Sequence, residues 1–257
     1  MNNKEIIKPF FYQLATMIDA GLPLVEALQL TADSTDNEDI KKMSLDVKTM
    51  IELGKTFSEA MLRYPTLFDK YCVHMVYAGE LGGILDTVLN RLATSIDWEI
   101  KLAHKMEKAF STKIFADITY LKERLAVEIN ETESDKLFLK STNIGQLFLT
   151  TEMIRFCRTL ATLIACGVPI LDSLEIVSDN ANNQTVKKAI LSVREKVTEG
   201  LSISKPFIDT ELFPALFCNM MTIAEACGAM DVTLAKMADF YDDELDRRIE
   251  DLSGRNL

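Results

Sequence analysis

The chain has 257 residues, of which 48% are hydrophobic, and a formal net charge of −11. That acid surplus argues against nucleic acid, whose phosphates need a surplus of Lys and Arg, and against an anionic lipid surface. Ten Gly and six Pro are few for this length and favour helices over sheet-rich folds.

Reading from the N-terminus, Lys4 to Ala20 places Ile7, Phe10, Phe11, Leu14, Met17 and Ile18 at spacings of three and four, which makes one apolar helical stripe. Gly21 stops it, and Pro23 suits the first turn of a second helix carrying Leu24, Ala27, Leu28 and Thr31. Asn37 is the expected N-cap of a third helix through Ile51, with Gly54 at its C-terminal stop. Thr56 and Glu59 have capping-box spacing for a short helix that breaks before Pro65. A fifth helix is expected over Leu67 to Ala78. Then Glu80-Leu-Gly-Gly-Ile-Leu-Asp86 reads as a tight connection in which Gly83 ends one helix and Asp86 caps the next. The sixth helix, with Val88, Leu89, Leu92, Ile96 and Ile100 along one side, runs to about Phe110.

The order then repeats. Leu14-Ala15-Thr16, Ile18, Gly21 and Pro23 return as Leu160-Ala161-Thr162, Ile164, Gly167 and Pro169; Gly54 returns as Gly200; Glu80, Gly83, Asp86 and Leu89 return as Glu225, Gly228, Asp231 and Leu234. An offset of about 145 residues is far longer than a solenoid period, so this is a duplicated domain. Six helices are expected again: Met153 to Cys166, Pro169 to Ser178, Gln184 to Thr198, Ile203 to Ile208, Phe213 to Cys227, and Val232 to about Ser253. Between the copies, Thr112 to Ile129 carries Ile114, Ile118, Leu121 and Leu125 as an amphipathic helix, followed by an acidic turn. The fold class is all-α: two tandem six-helix bundles, residues 1–110 and 147–257, joined by a helical linker over 111–146.

No catalytic constellation stands out. His74 and His104 lie in helical segments with no HExxH, and no GxSxG or GxGxxG is present. Gly82-Gly83 lacks the spacing of a phosphate loop. The five Cys form no CxxC pair and read as reduced, mostly core thiols, so neither a metal nor a cofactor is expected. Met75, Met220, Met221 and Met237 fall at core spacing. The acidic run Asp239, Asp242, Asp243, Glu244, Asp246 reads as a solvated helix face, with a cation or a basic partner as the alternative. Glu80 and Glu225 are less easily dismissed, because both sit at a helix C-terminal end, where the macrodipole disfavours a carboxylate. Either each fixes its turn by accepting hydrogen bonds, or it meets a partner or metal. Gly21, Pro23, Gly167 and Pro169 are accounted for as helix stop and start signals. No apolar h-region of a signal peptide is present, and no window offers the ~18 consecutive apolar residues of a membrane span.

These residues carry a resemblance. Leu160 to Leu174 resembles an L-A-x-L-I-x-x-G-V-P-x-x-x-S/A-L start, followed by a Gly before a small helix, F-P, and G/A-E-x-x-G-x-L/M-D. The second copy keeps Phe213-Pro214, Glu225, Gly228, Asp231 and Tyr241 with Glu244. The first keeps Gly79-Glu80, Gly83 and Leu85-Asp86, with Asp69 in the place of the proline. Both copies resemble the cytoplasmic domain of the type II secretion F and type IV pilus PilC (GspF/PilC) inner-membrane platform family. The likeness covers almost everything except residues 111 to 143.

The resemblance implies a six-helix domain and a non-enzymatic scaffold. It implies contact with the secretion or pilus assembly ATPase, with other inner-membrane assembly proteins and with pilin-like subunits, and it makes Glu80, Gly83, Asp86, Glu225, Gly228 and Asp231 the family-motif residues. Family members place a membrane hairpin between the domains and a third span after the second. Here a linker stands in the hairpin's place and the chain stops at Leu257, so a soluble, cytoplasmic version is expected, engineered or natural, with homo-oligomerisation compatible with its apolar surface. The alternative reading is a helical adaptor or signalling scaffold unrelated to secretion.

Overall fold

A computed structural model of the chain describes residues 3–110, 143–181 and 183–254. Among these, every regular element is a helix: α1 (Asn3–Asp19), α2 (Leu24–Ser34), α3 (Glu38–Glu52), α4 (Phe57–Met61), α5 (Lys70–Gly82) and α6 (Leu85–Phe110). The second series is α7 (Asn143–Ala165), α8 (Ile170–Asn180), α9 (Gln184–Thr198), α10 (Ser204–Asp209), α11 (Ala215–Cys227) and α12 (Met230–Gly254). The chain divides into two compact units, Met1–Leu102 with Cys166–Val168 and Ala103–Ala165 with Pro169–Leu257. The amphipathic stretch from Thr112 to Ile129 lies outside the described residues.

Each unit closes on a buried aromatic centre. In the first, Phe10, Phe11 and Phe68 meet with ring centroids 5.5 to 5.9 Å apart. The second brings together Phe156, Phe207, Phe213 and Phe217, with the Phe207 to Phe213 centroids 4.8 Å apart in an edge-to-face contact. Phe207 and Phe217 occupy the places where the first copy has the buried Met61 and Cys72. Burial of such rings dominates the hydrophobic term of each domain, with edge-to-face geometry adding roughly 0.5–1.5 kcal/mol per pair. Met75, Met221 and Met237 are core residues as expected, whereas Met220 is only half-buried.

Most helix boundaries follow from local chemistry. Asn37 and Asn183 cap α3 and α9 in the same way, each side-chain oxygen accepting two backbone N–H bonds. The box at α4 forms in full, with Thr56 accepting from the Glu59 amide at 3.1 Å and the Glu59 carboxylate accepting from the Thr56 amide at 3.2 Å. Three expectations need correction. The fifth helix begins at Lys70, not Leu67, because the Asp69 side chain caps it by accepting from the Cys72 amide at 2.8 Å, and the preceding residues form a separate turn on the Tyr64 carbonyl. Helix α7 starts at Asn143, well before Met153; the Thr150 and Thr151 hydroxyls bond back to the Gln146 and Leu147 carbonyls, so these β-branched residues sit in the helix with their polar groups satisfied. Pro23 and Pro169 stand at the cap positions of α2 and α8 with extended ψ of 141° and 143°, one residue ahead of the first turn.

The equivalence of Asn37 and Asn183 is open to a direct check. Asn37→Ala and Asn183→Ala should each lower unfolding stability by about 1 kcal/mol, as for other N-cap losses, in urea titrations followed by circular dichroism. A cost confined to one of the two would contradict the shared cap.

Candidate functional site

The residues singled out by the repeat converge on one arrangement, built twice. Helix α5 ends at Gly82 and α11 at Cys227; each is followed by a glycine in the left-handed region, Gly83 at φ 67° and Gly228 at φ 66°. An L-residue there is strained. The left-handed turn lets the amide of Ile84 reach the Gly79 carbonyl and that of Ala229 reach the Ala224 carbonyl, both at 3.0 Å. Gly79 serves closeness instead: a Cβ there would lie 3.0 Å from Val88 Cγ2 and 3.3 Å from Leu85 Cα, so its bareness lets α5 and α6 approach.

One turn before that stop, Glu80 leaves α5 and crosses to the start of α4. Its carboxylate accepts from the Phe57 amide at 2.5 Å, the Ser58 amide at 3.2 Å and the Ser58 hydroxyl at 2.5 Å. Glu225 repeats the pattern on α10, accepting from the Ile203 amide at 2.6 Å, the Ser204 amide at 3.1 Å and the Ser204 hydroxyl at 2.6 Å. A charge at an unfavourable helix C-terminus is therefore met by the N-terminal amides of a neighbouring helix, where an anion is favoured. Burial pushes the Glu225 carboxyl up, but the bonds from Ser204 and Ile203 outweigh it and hold the group below the ordinary carboxylate value.

Ser58 and Ser204 are the partners that the sequence pattern did not single out. The signal was present: the same serine stands four residues after Gly54 and after Gly200. Asp86 and Asp231, expected as caps, instead lie in the first turns of α6 and α12; the first helical bonds fall on the carbonyls of Ile84 and Ala229. In the first turn each carboxylate still benefits from the helix dipole. Gly21 and Gly167, at φ 88° and 79°, make the turns into α2 and α8.

Elsewhere the polar groups serve packing. Arg158 on α7 pairs with Asp239 at 3.2 Å and Asp242 at 3.0 Å on α12, so part of the acidic run is a strut and not only a solvated face. In the first unit Lys4 and Lys8 pair with Glu99 and Asp97, joining α1 to α6. Cys72, Cys157, Cys166 and Cys218 are buried, and burial pushes the Cys157 thiol up, away from reactivity; Cys227 is exposed. His74 is exposed and its Nδ1 lies 2.7 Å from the Lys70 carbonyl of its own helix. Among the described residues no cluster of His, Cys, Asp or Glu could hold a metal ion, and no helix is long and apolar enough to cross a membrane.

The fold and the shared site define a tandem helical-bundle protein whose common polar centre is a helix-capping carboxylate. The chain belongs to the family described as type II secretion system (T2SS), protein F, whose model matches residues 10–115 and 156–255. It is 36% identical over 310 aligned positions to a type IV pilus assembly protein PilC of Myxococcus xanthus, spanning 98% of this chain and 74% of that protein. It is 28% identical over 306 positions to a type IV pilus assembly protein PilC of Thermus thermophilus, covering 95% and 74% of the two chains. A type II secretion system protein F of Vibrio cholerae is 26% identical over 294 positions, covering 92% and 72%. Each alignment is longer than this chain's 257 residues, so each relative carries positions that this chain lacks.

The two caps differ in their reserves. Helix α4 keeps the Thr56 and Glu59 box beside Glu80, whereas α10 has Lys205 in place of Glu59 and no side-chain cap of its own besides Glu225. Replacing carboxylate by amide turns one acceptor into a donor facing another donor. Glu225→Gln should therefore cost about 1–2 kcal/mol and Glu80→Gln about half as much, read from urea midpoints. Because the folded Glu225 carboxyl lies below its unfolded value of 4.5, its stabilisation is fully present above that pH and lost as pH falls through the folded value. Glu225→Gln should flatten stability against pH in the window below 4.5; an unchanged acid limb would show that another group governs it.

Proposed function

We propose that the chain is a non-enzymatic platform component of a type II secretion or type IV pilus assembly machine. In this reading it lies on the cytoplasmic side, engages the assembly ATPase, and passes the motion of that enzyme to pilin or pseudopilin subunits. The single observation that carries the reading is the match of both halves to the same family domain, each with its Glu, Ser and Gly centre intact. Rigid capping of a short helix by a charged side chain suits a part that transmits force, because it removes a place where the bundle could fray. Nothing in the centre places an acid, a base and a nucleophile together, so the reading assigns it no turnover.

The alignments that outrun the chain support the further proposal that residues 111–146 stand where members of the family carry a membrane hairpin, making this a soluble form of the platform. A scaffold unrelated to secretion is the competing account. Co-sedimentation of the purified chain with the assembly ATPase of its own machine, at low salt, separates the two. Binding is expected from the intact chain and is expected to weaken as salt rises. Failure to bind at any salt would remove the platform reading.

A further inference from the structure

Duplication offers an internal control, since a surface residue that both copies keep has survived two separate histories. Among the described residues, the positions that are exposed and identical in both copies are few. Gly21, Pro23, Gly54 and Gly83, with Gly167, Pro169, Gly200 and Gly228, are explained by their turns. Asp33 and Asp179 are each held by a side chain, Gln29 in the first copy and Lys187 in the second. What remains is Lys42 with Leu45 on α3, and Lys188 with Leu191 on α9.

In each pair the two residues are three apart and share a helix face. Neither lysine is in an ion pair among the described residues, although the chain carries a net charge of −11. Leu45 is 36% exposed and Leu191 37%. Each domain also exposes an apolar residue at the short helix tied to this one. Leu62, 64% exposed, follows α4, whose end is tied to α3 by Tyr64 donating to Asp46 at 2.8 Å and Arg63 pairing with it at 3.4 Å. Its counterpart Ile208, 50% exposed, lies in α10, which Lys196 ties to α9 through Asp209 at 3.3 Å. Around these positions the surface has diverged: Thr49, Lys55, Glu59 and Arg63 correspond to Glu195, Leu201, Lys205 and Asp209. The neighbours change sign or polarity while the lysine and the aliphatic residues persist.

We propose that the α3–α4 face and the α9–α10 face are two copies of one docking surface. Each takes the same element of a protein partner: an amphipathic helix presenting a carboxylate to Lys42 or Lys188 and an apolar side chain to Leu45 with Leu62, or to Leu191 with Ile208. One chain thus holds two copies of that element, as it would when facing a partner of several identical subunits. Charge complementarity selects the acidic element, because an ammonium outside any ion pair among the described residues orients an anion while the aliphatic side chains supply the contact area. The inference rests on the platform reading only for the partner's identity, the assembly ATPase.

The test uses the full chain with Lys42→Glu, Lys188→Glu and the double variant, all at exposed positions, with melting temperatures confirming that folding is unchanged. Against the purified ATPase, calorimetry should give two sites per wild-type chain, one site for each single variant, and at least about a tenfold loss for the double variant. ATPase binding that is unaffected by the double variant overturns the docking surface and leaves the platform reading standing. If the wild-type chain does not bind the ATPase, the platform reading falls. The surface is then judged by NMR titration with a synthetic Glu- and Leu-bearing helical peptide. Amide shifts centred on residues 42–45 and 188–191 support it; shifts elsewhere, or none, overturn it. Self-association of the chain that Leu45→Asp abolishes also overturns it, since the occupant would then be a second copy.

Discussion

A helix of five or six residues cannot satisfy its own N-terminal amides, and each domain is organised around supplying what that helix lacks. Helices α4 and α10 are that short, yet each buries a phenylalanine, Phe57 in one and Phe207 in the other. The carboxylates of Glu80 and Glu225 reach across from the last turn of the helix that follows and hold the amides in place. With that bond made, the short helix is fixed between its neighbours and its phenylalanine is delivered to the core. Without it, the ring would be attached to a fraying turn, since one helical turn has almost no stability of its own.

That constraint links features that look separate in the chain. The left-handed glycine stands three residues after each glutamate and turns the chain into the next helix. The serine on the short helix adds a third donor to a carboxylate that has four lone-pair sites to fill. Glycine, glutamate and serine therefore act as one unit running from Ser58 to Gly83 and from Ser204 to Gly228. A duplication could preserve them together while the surrounding surface changed sign.

Much of this was legible in the sequence, and for a physical reason. Helix count, the Asn37 cap, the box at Thr56 and the six-helix order depend on local spacing, which a repeat makes visible twice. The docking of Glu80 and Glu225 was not, because their partners lie more than twenty residues away and nothing local distinguishes a carboxylate that caps another helix from one that awaits a partner. Asp86 and Asp231 were misplaced by one or two positions for a related reason. An acid in the first turn and an acid at the cap both satisfy the dipole, and only the carbonyl that receives the first helical bond separates them. The start of α7 was hidden by Thr150 and Thr151, whose poor helix propensity is offset by their bonds to the preceding turn.

One position shows the two copies solving a single problem by different thermodynamics. Before α5 stands Asp69, whose side chain accepts from the Cys72 amide; before α11 stands Pro214, at φ −58° with no side-chain cap. The aspartate acts on the folded chain, by accepting a bond from a first-turn amide of α5. The proline acts on the unfolded chain by narrowing the conformations the turn must give up, a contribution that does not depend on charge and grows with temperature. Two domains of common descent thus secure the same joint by opposite routes, one by a bond made in the folded helix and the other by a turn restricted before folding.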